Sequence, residues 1–133
     1  MKIAFYKAKY GNWLDKLISI VTFSEYSHCE LVFSNGECAS SSPRDNGIRI
    51  KRIDLGEKWD VYSLSESYDE VKIRNWFESN LSDKYHWLGA AMSVFGIYVE
   101  NENRKFCSAT CALMMGLYPG NTPESLFKLL KRL

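Results

Sequence analysis

YSHCELVFSNGECASSS, residues 26–42, reads as two strands joined by Ser34-Asn35-Gly36. A three-residue loop with Gly36 in the left-handed conformation suits that triplet. It pairs Phe33 with Glu37, Glu30 with Ser40 and His28 with Ser42. A two-residue loop shifts the pairing by one and turns those serines to the other face. Both registers are compatible with the sequence. In either, His28 and Glu30 share one face of the first strand, and Cys29, Leu31 and Phe33 take the other.

Outward from this hairpin, Met1–Lys7 alternates as a strand, and Tyr10-Gly11-Asn12 breaks it. Asn12 can cap a helix carrying Trp13, Leu14, Leu17, Ile18 and Val21 on its apolar face. Ser42–Gly47 is a turn by composition, followed by strands over Gly47–Ile53 and Trp59–Leu64. Ser67 or Asp69 opens a helix with Val71, Ile73, Trp76, Phe77 and Leu81. A second helical run covers Tyr85–Phe95, and residues 100–105 form a polar loop. Cys107–Leu117 is an apolar helix, and Thr122-Pro123-Glu124 starts the last one with proline at its first position. One strand, one helix, a meander of about four strands and then helices make a single α+β domain over residues 1–133. Its mostly antiparallel sheet of about five strands packs against helices.

Composition narrows the function classes. The chain has 133 residues, 46% of them apolar, 25% charged and 14% aromatic, with a formal net charge of +1. That balance gives no field for nucleic acid or an anionic membrane. No stretch approaches a bilayer span, and the N-terminus lacks a long apolar run and a cleavage site. The expected location is therefore cytoplasmic, in the host cell if the chain is phage-encoded. Cys29, Cys38, Cys107 and Cys111 are too few for a disulfide scaffold. No CxxC is present, so a structural zinc is not expected, and no metal or organic cofactor is invoked.

The chemistry is concentrated at two places. Cys107 starts an apolar helix, where the dipole and unpaired backbone N–H groups favour thiolate and can hold an oxyanion. His28 is an imidazole able to shuttle the proton if the sheet packs against that helix. Glu30, about 7 Å from His28 along the same strand face, can orient it. Most such residues are ordinary: a buried Cys is usually a small hydrophobe and a lone His a structural hydrogen-bonder. The other histidine, His86, beside Tyr85 and Trp87, is a rival base without a motif around it.

The run Ser27-His28-Cys29-Glu30-Leu31-Val32-Phe33, a Gly-containing turn, a small-residue strand and a late Phe106-Cys107-Ser108 together resemble the permuted NlpC-type papain-like family. This superfamily includes the lecithin:retinol acyltransferase-like proteins, and its histidine strand precedes its cysteine helix. The likeness, closest to small phage-encoded members, runs from Trp13 to Thr-Pro-Glu-Ser-Leu near the end. It implies a circularly permuted papain-like fold, with Cys107 as nucleophile and His28 as base. The family's third polar residue falls near Ser40, where a His, Asn, Gln or acid is more usual. Glu30 is therefore the preferred orienting group, with Ser40 assisting across the strand. Tyr26, Arg44, Tyr85 and Ser108 are the candidate substrate contacts. Arg44 can meet a substrate carboxylate or phosphate, or else form a turn salt bridge with Asp45 or a nearby acid.

The expected activity is a thiol hydrolase acting on peptide or cell-wall amides through an acyl-enzyme, with lipid acyl transfer as the second substrate class. The alternative is a papain-like binding module without chemistry, such as a phage protein that binds a host factor. A redox pair of Cys107 and Cys111 is disfavoured, because i, i+4 spacing lacks the helix-start CxxC.

Overall fold

The computed structural model describes residues 1–22, 24–85, 104–105, 107–119 and 121–132. The strands are β1 (Lys2–Lys7), β2 (Tyr26–Val32), β3 (Glu37–Ser42), β4 (Gly47–Arg52), β5 (Trp59–Ser63), β6 (Lys84–Tyr85) and β7 (Arg104–Lys105). They form one sheet in the order β5-β1-β2-β3-β4-β6-β7, antiparallel except for the parallel β6–β7 pair. The expected five strands thus gain two short ones. One of them takes Tyr85, expected to start a helix, and the other ends what was expected to be a loop. The helices are α1 (Trp13–Thr22), α2 (Glu70–Ser79), α3 (Cys107–Met114) and α4 (Pro123–Leu130). The remainder of the expected helix, His86 included, lies outside the described residues. No helix among the described residues is long and apolar enough to cross a membrane.

Local chemistry sets the helix ends. Asn12 Oδ1 accepts from Asp15 N at 3.1 Å while Asp15 Oδ2 accepts from Asn12 N at 3.0 Å, a reciprocal cap for α1. Asp69 caps α2 by accepting from Lys72 N, and Thr122 caps α4 by accepting from Ser125 N, with Pro123 first in the helix. Helix α2 ends at Ser79 with Asn80 as its C-cap, before Leu81, which stays exposed. Trp13 and Leu17 of α1 are also exposed rather than in the core.

The hairpin adopts the three-residue loop. Gly36 has φ +83°, Phe33 N donates to Glu37 O, and Leu31 and Val32 pair with Ala39 and Cys38. Ile3, Phe5, Cys29, Leu31 and Phe33 form one sheet face, buried with Phe77, Cys107, Cys111 and Leu126. Each fully buried large apolar side chain contributes about 1.5–3 kcal/mol. Phe127 of α4 closes this face against Phe5 at 5.4 Å and Tyr26 at 4.8 Å between ring centroids.

One irregularity controls which residues face the site. Tyr6 pairs with His28 but Lys7 pairs with Tyr26, so Ser27 is an extra residue in β2. This bulge reverses the alternation, as an added residue must when the side-chain period is two. Tyr26 therefore points into the core face, opposite to His28.

Candidate functional site

Helix α3 begins at Cys107 and lies over β2 and β3 on the Cys29 side of the sheet. The β2–β3 ladder consists of the Leu31–Ala39 and Val32–Cys38 pairs, leaving the His28 end of β2 beyond the last pair. There Cys107 is buried in one cluster with Cys29, close enough to the His28 ring for each charge to shift the other's pKa. His28 Nε2 is 2.6 Å from Glu30 Oε1, so the other ring nitrogen is the one left for the thiol. Cys107 is 4% exposed and the His28 side chain 15%, which keeps water from screening the pair.

Glu30 is wholly buried and held from two sides. Arg49 Nη1 donates to Glu30 Oε2 at 2.6 Å, and Arg49 Nη2 donates to Glu30 Oε1, a two-pronged grip. Asp45 Oδ2 accepts in turn from Arg49 Nε at 2.9 Å and from Lys51 Nζ at 2.7 Å. Charges alternate along the line: Cys107, His28, Glu30, Arg49, Asp45, Lys51.

Ser40 explains how Arg49 reaches Glu30. The observed register puts Ser40 beside Glu30, and Ser40 pairs with Arg49 of β4, so all three share one face. Strands lie about 4.8 Å apart, so Arg49 and Glu30 must meet over the middle residue. Only a small side chain leaves that path open. The Ser40 hydroxyl itself donates to Cys29 O at 2.8 Å rather than to His28 or Glu30. The expected Ser40 assistance to the imidazole is thus replaced by a spacer role, and Arg49 supports Glu30 instead.

The environment fixes the protonation states. Burial alone would lower the His28 pKa, but the Cys107 thiolate and the Glu30 carboxylate more than reverse this, raising it to about 10. The Cys107 pKa is held well below the ordinary thiol value, first by the Cys29 hydrogen bond and then by the His28 charge, against the opposing effect of burial. Burial also opposes ionisation of Glu30, yet His28 and Arg49 lower its pKa. Both shifts favour the thiolate–imidazolium form of the pair.

The other expected contacts separate. Tyr85 is buried near enough to Cys107 and Cys29 for their charge to add to burial in raising its phenol pKa. Gly47 makes that approach possible: it has φ +146°, and a Cβ there would lie 2.0 Å from Asp83 O. Tyr26 is a correction, since it is 3% exposed and its hydroxyl donates to Asp60 Oδ2 at 2.7 Å. Ser108 is a second correction, being fully buried with its hydroxyl donating to Asn121 O. Arg44 forms the salt bridge rather than standing free, 3.3 Å from Asp15 Oδ2. It lines a cavity of about 160 Å³ with Tyr6, His28, Glu30, Arg49 and Trp59.

Arg49 and Cys29 are the site residues that sequence reasoning missed as such. The signal for Arg49 was a serine at its centre: with the three-residue loop and a tight Pro43–Asn46 turn, Glu30, Ser40 and Arg49 fall in one row. Among the described residues no group of three or more His, Cys, Asp or Glu is arranged to hold a metal ion. No family model, curated protein or solved structure matches this chain.

Proposed function

We propose that this protein is a cysteine-dependent acyl hydrolase or acyltransferase on a permuted papain-like fold. The observation that carries this reading is a buried cysteine at a helix start whose thiol pKa is lowered by an imidazole that a buried carboxylate holds at 2.6 Å. The thiolate attacks an amide or ester carbonyl, and the first-turn N–H groups of α3 stabilise the oxyanion. The His28 imidazolium protonates the leaving amine or alcohol. Neutral His28 then takes a proton from water, or another acceptor, as it attacks the acyl-enzyme. Glu30 holds the ring in place through both steps, with Arg49 fixing Glu30. Peptide or cell-wall amides are the first substrate class, by the resemblance of the His28 strand and the Cys107 helix, and acyl lipids the second.

The test is the pH dependence of iodoacetamide labelling at each cysteine, read by mass spectrometry, in wild type and His28→Ala. Cys107 is expected to label at near-constant rate through neutral pH, well below the ordinary thiol range near 8.5. Loss of labelling should occur only in acid, as the thiolate takes a proton, and His28→Ala should shift that loss toward alkaline pH. Hydrolysis, in contrast, should fall as pH rises through about 10, where His28 loses the proton it must donate. Slow labelling of all four thiols with no response to His28→Ala would sink the mechanism and favour the binding-module reading.

A further inference from the structure

Cys29 makes and breaks no bond in the acyl-transfer scheme, yet it lies in one buried cluster with the nucleophile. It is fully buried on the core face of β2, in one buried cluster with Cys107 and with Cys111 one turn along the α3 helix that packs on that strand. Cys111 Sγ lies 4.0 Å from Cys29 O. We propose that Cys29 is the resolving thiol for Cys107, so that a hydroperoxide oxidises Cys107 and Cys29 then closes a Cys29–Cys107 disulfide.

The steps balance. The Cys107 thiolate attacks the distal oxygen of the hydroperoxide; an S–O bond forms as the O–O bond breaks. The departing alkoxide or hydroxide takes the His28 proton, leaving Cys107 as a sulfenic acid. The Cys29 sulfur then attacks the Cys107 sulfur, and hydroxide leaves with the Cys29 proton as water. Two thiols lose two electrons, and the hydroperoxide is reduced to water and an alcohol or a second water.

Geometry selects Cys29 over Cys111 as the partner. Residues i and i+4 of an intact helix hold their Cβ atoms about 5–6 Å apart, whereas a disulfide needs roughly 3.5–4.5 Å. Cys29 approaches Cys107 from the strand beneath, free of that constraint. Burial keeps Cys29 protonated, so of these two thiols Cys107 is the peroxide-reactive one.

The inference rests on the Cys107 thiolate of the proposed function but on no acyl chemistry, and its test reads mass rather than activity. The reduced full chain is treated with hydrogen peroxide at pH 7, blocked with maleimide, digested without reductant and mapped. Wild type and Cys111→Ser should both give a Cys29–Cys107 cross-linked peptide that dithiothreitol reverses. Cys29→Ser, its fold checked by circular dichroism, should lose the cross-link and carry Cys107 irreversibly to sulfinic and sulfonic acid. Wild type that over-oxidises at Cys107 without a cross-link, or cross-links Cys107 to Cys111, overturns the inference. Iodoacetamide labelling of the reduced protein at pH 6 separates the two failures. Fast labelling without a disulfide sinks the resolving role alone, and absence of both sinks the thiolate beneath it.

Discussion

Replacing Glu30 by Gln keeps the shape of the side chain and removes one negative charge from the middle of an alternating row. In the wild type that charge faces the His28 ring and the Arg49 guanidinium, with the Arg49 side chain 13% exposed and Glu30 fully buried. Breaking a buried ion pair from one side costs about 3–5 kcal/mol. The lower end applies, because Asp45 still holds Arg49 Nε and His28 can shed its proton. Unfolding entropy of about 2.1 cal/mol/K per residue gives roughly 0.28 kcal/mol/K for 133 residues, so about 3 kcal/mol lowers Tm by about 11 °C. The pH dependence has a definite sign. Glu30 is lowered from its ordinary 4.5, so its contribution is present above pH 4.5 and lost as pH falls through the folded value. His28 is raised from 6.5, so its contribution is present below 6.5 and lost as pH rises through about 10. The Tm gap between wild type and Glu30→Gln should therefore be widest between about pH 4.5 and 6.5, where both contributions are complete, and close towards both extremes. Calorimetric scans from pH 3 to pH 11 measure it. A neutral-pH shift under about 3 °C, or a gap that keeps widening below pH 4.5, would refute the electrostatic reading of the row.

Ser40 separates shape from hydrogen bonding. Ser40→Ala removes one bond to Cys29 O and should cost about 1 kcal/mol, whereas Ser40→Leu blocks the Arg49–Glu30 path and should cost at least about 3 kcal/mol in urea unfolding. Equal effects from the two would remove the spacer role. Gly36→Ala and Gly47→Ala both place a Cβ at positive φ, but a Cβ at 36 meets only the flexible tip of Arg52 at 3.1 Å. Gly36→Ala should cost about 1–2 kcal/mol. Gly47→Ala must also push away the Asp83 backbone and with it the β6 strand that carries Tyr85, so it should cost more; urea midpoints in the reverse order would contradict this.

Much of the architecture follows from local pattern. Period-two alternation gave the first five strands, and Asn12, Asp69 and Thr122 sit where short polar acceptors satisfy free N–H groups at helix starts. The pairing of Glu30 with His28 needs only the pleat of one strand, and the cysteine at the start of α3 needs only the reading of one helix boundary. Two features escaped because they depend on a parity that residue type does not carry. The hairpin register turned on whether Gly36 closes a three-residue or a two-residue loop, and that choice decides whether Ser40 and Arg49 share the face of Glu30. The bulge at Ser27 inverted the face of Tyr26, moving an expected cleft residue into an aromatic cluster with Phe5 and Phe127.

Tertiary packing decided the rest. Sequence establishes that an imidazole, a carboxylate and a helix-start thiol exist on elements of the right kind. Their meeting requires α3 to lie across β2 at the end of the β2–β3 ladder, a contact between residues 79 positions apart in the case of His28 and Cys107. The same packing put Cys29, by its own pattern a small core residue, in one buried cluster with the nucleophile, where it lowers the Cys107 pKa. Local propensity is set by neighbours in the chain, whereas a shifted pKa is set by neighbours in space.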